Sequence, residues 1–168
     1  MLGWAALVGA VGCAGYQIGT GSLYRPDVRT VHVPIFQSDS FRRQLGERLT
    51  EAVVKRIERV TPYKVVHTPY ADSVLRGRVV SDRKSIITES AFDEGRDVEV
   101  NLRVEASWTD RNGNLLGGDF SQPVPAVLLS FSGSGHFLPE GGQSYATAQQ
   151  DAIERLAKQI VEQMEAPW

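Results

Sequence analysis

Between residues 98 and 109 the sequence alternates without a fault. Val98, Val100, Leu102, Val104, Ala106 and Trp108 take every second position, and Glu99, Asn101, Arg103, Glu105, Ser107 and Thr109 fill the rest. A strand turns successive side chains to opposite faces, so this pattern predicts a strand with one buried face and one wet face. Such alternation belongs to antiparallel sheets covered on one side; parallel sheets are buried on both and read as continuous apolar runs. The chain must therefore supply something to cover the apolar face.

Two stretches have the helical period to do so. From Phe41 the apolar positions are Leu45, Leu49, Val53, Ile57 and Val60, with Ser38, Asp39 and Ser40 as candidate caps and Thr61-Pro62 as the stop. From Ser144 to about Glu165, the residues Tyr145, Ala148, Ala152, Ile153, Leu156, Ile160, Val161 and Met164 form a second stripe. The outer faces are charged, with Glu51–Lys55, Asp151–Arg155 and Glu154–Lys158 spaced as i,i+4 pairs. Further strands are expected at 28–36, which carries Pro34 near its end, at 63–66, and at 74–88, the last interrupted by Ser81, Asp82, Arg83 and Lys84. Asn112-Gly113 is a preferred hairpin pair and points to a partner strand around 115–121. Residues 122–142, with Pro123, Pro125, Pro139 and a glycine–serine run, read as a long loop that allows a short strand at 126–131. The expected fold is α+β: two amphipathic helices packed on one face of a mixed, mostly antiparallel sheet of four to six strands.

At 168 residues this is one domain's length, and a formal charge of −2 argues against a nucleic-acid binder held by bulk electrostatics. One cysteine cannot close a disulfide within the chain. His32, His67 and His136 stand far apart, so no metal and no cofactor are expected. Gly19-Thr20-Gly21-Ser22 lacks the lysine of a phosphate loop, and Ser132-Gly133-Ser134-Gly135 lacks nucleophile-elbow spacing. Asp93, Glu94, Asp97 and Glu99 read as a solvated loop and strand start. These features tilt the chain away from catalysis and toward binding. Two groups are candidates for that work. Arg76, Arg78, Arg83 and Lys84 cluster on or beside one strand, either as an exposed sheet face or as a site for an anionic ligand such as a glycolipid phosphate. Val127, Leu128, Leu129 and Phe131 put four apolar side chains in a five-residue window, which must fold back or meet a partner.

The N-terminus is distinct. Residues 1–12 carry no charged side chain and would span only about 18 Å as a helix, short of a roughly 30 Å hydrocarbon core. Ala10-Val11-Gly12-Cys13 resembles the lipobox of bacterial lipoproteins, in which the leader is cut before a lipid-bearing cysteine. The expectation is a signal peptide at 1–12, a lipidated Cys13 and tether over 13–27, and one domain over 28–168. Ala14, not Asp, follows the cysteine, which by the same resemblance favours the outer membrane.

Taken with the leader, "CAGYQIG" at 13–19, a "V.VP.F" strand at 31–36, an "LTEAVV" helix segment at 49–54, "ADSVLRGRVV" at 71–80 and the closing amphipathic helix resemble the LptE family of lipopolysaccharide-assembly lipoproteins. The resemblance implies a two-helix α/β sandwich, lipid-anchored at the periplasmic face of the outer membrane. It also implies a non-catalytic protein that plugs a barrel partner of LptD type and helps deliver lipopolysaccharide to the cell surface. A small lipoprotein that activates a periplasmic cell-wall synthase is the alternative from another class.

Overall fold

The computed structural model describes residues 23–42, 44–89, 95–116 and 128–165. In chain order the elements are β1 (Thr30–His32), β2 (Gln37–Ser38), α1 (Leu45–Val60), β3 (Lys64–Val66), β4 (Ser73–Glu89), β5 (Gly95–Asp110), β6 (Leu129–Phe137), a 3-10 turn (Pro139–Gly141) and α2 (Tyr145–Glu162). They build one six-stranded sheet in the order β3-β1-β4-β5-β6, with β2 also on β4. The short strands β1, β2 and β3 pair in parallel, and β4-β5-β6 form an antiparallel meander. The α+β architecture expected from the sequence is the one observed.

The alternation of 98–108 survives intact in three dimensions. Val98, Val100, Leu102, Val104, Ala106 and Trp108 are all buried beneath the helices. The helices meet them with Leu49, Val53 and Ile57 from α1 and Ala152, Ile153, Leu156 and Ile160 from α2, in one continuous core. Arg48 donates to the side-chain carbonyls of Gln149 (2.6 Å) and Gln150 (2.9 Å), so both helices begin side by side. Ser144 caps α2 by accepting from the Thr147 amide. Of the three expected helix ion pairs, Lys55 meets Glu51 at 2.6 Å. Arg155 instead donates to the Ser134 carbonyl of the neighbouring β6, and Lys158 turns to Glu162 on its own helix while Gln150 donates to Glu154.

Four details bear on the sequence-based expectation. First, α1 starts at Leu45, not Phe41, behind Gln44 in a left-handed conformation (φ 63°). The chain stays tied to the sheet until then: the Asp39 amide donates to the Val79 carbonyl, and Arg42 is held by Asp82. Second, β4 is not broken at Ser81–Lys84 but bulged, with a register shift between Val79 and Ser81. Third, after the Asn112-Gly113 turn Leu115 bridges Thr109 and the Leu116 amide donates to the Trp108 carbonyl, while 117–121 of the expected partner strand lie outside the described residues. Fourth, the place beside β5 is taken by β6, inside the stretch read as loop. Its period of two is disguised by glycine: Gly133 and Gly135 face α2, where a Cβ on Gly135 would lie 2.0 Å from the Ala148 carbonyl oxygen. Tyr24 is buried and bridges to Glu165, so packing begins ahead of Val28.

Candidate functional site

The two helices cover one side of the sheet, and no described helix lies over the other. What faces outward there follows from register. Arg76 lies opposite Ser107 and Arg78 opposite Glu105; beyond the bulge, Ser81 lies opposite Arg103 and Arg83 opposite Asn101. On the far side of β5, Arg103 faces Ser132 and Glu105 faces Ser130. The extra residue at Val80 inverts the alternation of β4, because one inserted residue turns every later side chain to the other face. Arg83 is thereby brought to the face of Arg76 and Arg78, although its offset from each along the chain is odd. Lys84 is sent to the helix side, where its ammonium lies 5.8 Å from the Phe137 ring centroid. The structure therefore joins three of the four predicted basic residues, leaves out Lys84, and adds Arg103, whose place in a strictly alternating strand gave it no distinction in the sequence.

The same bulge aims Asp82 at the helix layer, where its side chain is only 3% exposed. Its carboxylate accepts from Arg42 Nε at 2.8 Å and from the Tyr145 hydroxyl at 2.7 Å, and the Arg42 guanidinium lies over the Tyr145 ring at 4.0 Å. Burial, and then the bond to Asp82, push the Tyr145 phenol up to about 12. This cluster clamps the start of both helices to β4.

On the open face the four arginines are not equivalent. Arg78 is held by Asp39 through two bonds of 2.7 and 2.8 Å, and that side-chain hydrogen bonding raises its pKa further. No acid among the described residues pairs with Arg76, Arg83 or Arg103. A groove of about 420 Å³ runs beside Arg76 and Arg78, with Pro34, Ile35 and Leu128 as its apolar rim and Glu105 and Ser107 in its floor. Ile35 is 68% exposed and Leu128 52%. The surface thus sets cationic forks beside exposed aliphatic groups, an arrangement that suits a ligand with an anionic head and an apolar body.

The apolar run 127–131 is divided by the strand it enters. Leu128 rims the open groove, whereas Leu129 and Phe131 are half-buried on the helix side beside Leu75, Trp108 and Ile160. Val127 and Cys13 lie outside the described residues. His136 stands within 3.4 Å of Asp97 and 3.8 Å of Glu99, yet no metal-holding group of His, Cys, Asp and Glu occurs among the described residues. No described helix is long and apolar enough to cross a membrane.

A fold of this kind, two helices packed on a mixed six-stranded sheet, is shared with solved bacterial lipoprotein structures. Residues 28–166 match the family model of LptE, lipopolysaccharide-assembly, and the chain belongs to that family. Among solved structures, it is similar to the uncharacterized lipoprotein B from Nitrosomonas europaea, at 17% identity and TM-score 0.54, with 89% of each chain covered. It is also similar to the hypothetical protein CT253 from Chlamydia trachomatis (8% identity, TM-score 0.52, 80% of this chain and 94% of that one). A third is the PelC dodecamer from Paraburkholderia phytofirmans (15% identity, TM-score 0.51, 85% and 93% covered). At these identities the likeness is one of fold. No curated protein sequence matches the chain.

Proposed function

We propose that this chain works as a lipopolysaccharide-assembly factor, anchored in the outer membrane through a lipid on Cys13 and seated in the lumen of a barrel protein of LptD type. In that place the open sheet face holds lipopolysaccharide in transit, without chemistry. The observation that carries the reading is the face itself, on which Arg76, Arg83 and Arg103 have no acidic partner among the described residues and Arg76 lines the Ile35–Leu128 groove. A guanidinium takes a phosphate through paired, charge-assisted hydrogen bonds. Burying acyl methylenes contributes about 0.8 kcal/mol each. A groove of this size takes part of one acyl chain, which suits a carrier that must also let go. Lys84 and the helix-side residues Leu129 and Phe131 then belong to the partner's side of the contact rather than to the ligand's.

The test uses the full chain and its Arg76→Glu/Arg83→Glu variant, affinity-purified from detergent-solubilised outer membrane. The expected result is one large barrel protein with both chains, and lipopolysaccharide with the wild type only. Recovery of a cell-wall synthase in place of a barrel would transfer the protein to the enzyme-activator reading.

A further inference from the structure

Beyond its bulge, β4 keeps β5, and behind it β6, on one side only. β1 pairs with it only at Ser73 and Val74, and β2 only at Arg78 and Val79. From Arg83 to Thr88 its one neighbour among the described residues is β5, and all six side chains are exposed. The covered side chains beside the arm come from β5 and β6, where Val98, Val100 and Phe137 are buried, while Ile86 opposite Val98 is 49% exposed.

An unpaired strand edge presents a row of N–H and C=O groups ready to pair with another chain, and proteins commonly blunt such edges. Here the chain's own loop reaches only the start of the edge: Ser40 and Arg42 bond to Asp82, and the cover stops there. Apolar groups stand at both ends. Phe41 is fully exposed at the near end, its flanks locked by the Asp39–Arg78 and Arg42–Asp82 pairs and by the left-handed Gln44. At the far end Ile86 and Ile87 are about half exposed, set apart by the second bulge at Ile87. Between them Arg83 and Lys84 point to opposite faces, neither paired with an acid among the described residues. Three of the seven large exposed apolar side chains among the described residues thus mark one strand edge.

We infer that the Arg83–Thr88 edge of β4 is a docking site for an extended segment of a protein partner, added to the sheet as a strand. The segment's chemistry is set by the edge: apolar side chains to cover Phe41, Ile86 and Ile87, and carboxylates to meet Arg83 and Lys84 on the two faces. Main-chain hydrogen bonds would supply the affinity, and these side chains the selectivity, as in other cases of strand addition. The edge lies apart from the Ile35–Leu128 groove and shares only Arg83 with the lipopolysaccharide reading, so the Ile86→Asp/Ile87→Asp arm of the test judges it separately.

The probe is a labelled short peptide alternating glutamate and valine, added to the full chain in detergent micelles and followed by fluorescence anisotropy and amide hydrogen exchange. Saturable binding with slowed exchange centred on 83–88 is expected. Arg83→Glu/Lys84→Glu and Ile86→Asp/Ile87→Asp chains should each bind about tenfold or more weakly, while Arg76→Gln keeps wild-type affinity. A lysine–valine peptide should bind no chain but the charge-reversed one. The inference is overturned if binding is absent, if protection falls on β6 instead, or if anionic vesicles alone give the same protection at 83–88. Equal binding by the Ile86→Asp/Ile87→Asp chain, provided its exchange pattern elsewhere is native, would also overturn it.

Discussion

Gly135→Ala should be among the most damaging single-methyl additions available in this chain. The new Cβ would sit 2.0 Å from the Ala148 carbonyl oxygen, 2.8 Å from its carbon and 3.1 Å from its Cα. An ordinary contact between such atoms needs about 3.5 Å, so α2 and β6 would have to part by more than about 1 Å. The obstacle is backbone in a regular helix and cannot rotate aside. Parting them would loosen Ala148, Ala152, Ile153 and Leu156, all with no exposed surface. Overpacking of this kind costs about 1–3 kcal/mol and sometimes more. The substitution also narrows the unfolded ensemble, which offsets about 0.4–1 kcal/mol. Because the obstacle is backbone, the gross cost lies at or above the top of that range, about 3–4 kcal/mol, and a net loss of about 2–3 kcal/mol is expected. Gly133→Ala should cost less, since its nearest neighbour is the Leu156 side chain at 2.7 Å, with the Ala152 carbonyl at 2.8 Å. Gly113→Ala meets nothing within 4 Å and suffers only from its φ of +87°, about 1–2 kcal/mol. Urea titrations of the three lipid-free variants, followed by far-ultraviolet circular dichroism, give the order. A loss below 1 kcal/mol at Gly135, or a larger loss at Gly113, would refute the packing argument.

Further outcomes follow from the polar joints and the anchor. Asp72 accepts from the Thr30 hydroxyl and amide, from the Arg29 amide and from Arg111, and these bonds, the Thr30 hydroxyl foremost, hold its carboxyl below the usual carboxylate range. A depressed folded-state value means that its contribution is complete above the unfolded value near 3.9 and is lost as pH falls through the folded one. Asp72→Asn should therefore flatten the loss of stability in acid, which denaturant titrations from neutral pH to about pH 3 will measure; an unchanged slope contradicts this. Tyr145→Phe removes one of the two short bonds to the buried Asp82 and should cost about 1–3 kcal/mol by the same titration. A cost near zero would mean that Arg42 alone satisfies the carboxylate. Cys13→Ser should leave the protein out of the membrane fraction, or uncut; full membrane retention would remove the proposed anchor.

Much of the fold was legible because burial imposes a period. The β5 alternation and the Leu49–Val53–Ile57 stripe each identify a core face directly. Legibility failed where glycine replaced the apolar signal: β6 has period two, but its inner positions include Gly133 and Gly135, chosen for the approach of α2. It failed again at the β4 bulge, since nothing local in Val79-Val80-Ser81 announces an inserted residue. That miss changed the site. Arg76 and Arg78 could be placed together by parity alone, whereas moving Arg83 onto their face and Lys84 off it required the register. Phe41 fitted the helical spacing of α1 and yet lies outside it, because Asp82 holds the neighbouring Arg42 against the sheet.

The central claim is that the uncovered sheet face carries lipopolysaccharide. A photoreactive amino acid placed at Leu128, on the rim of the open groove, tests it most directly in living cells, with the same group at Glu154 on the outer face of α2 as the control. The account predicts an ultraviolet-dependent lipopolysaccharide adduct at Leu128 and none at Glu154, with the Leu128 adduct lost in the Arg76→Glu/Arg83→Glu background. An adduct at Glu154 alone, or a Leu128 adduct indifferent to the arginines, would contradict it.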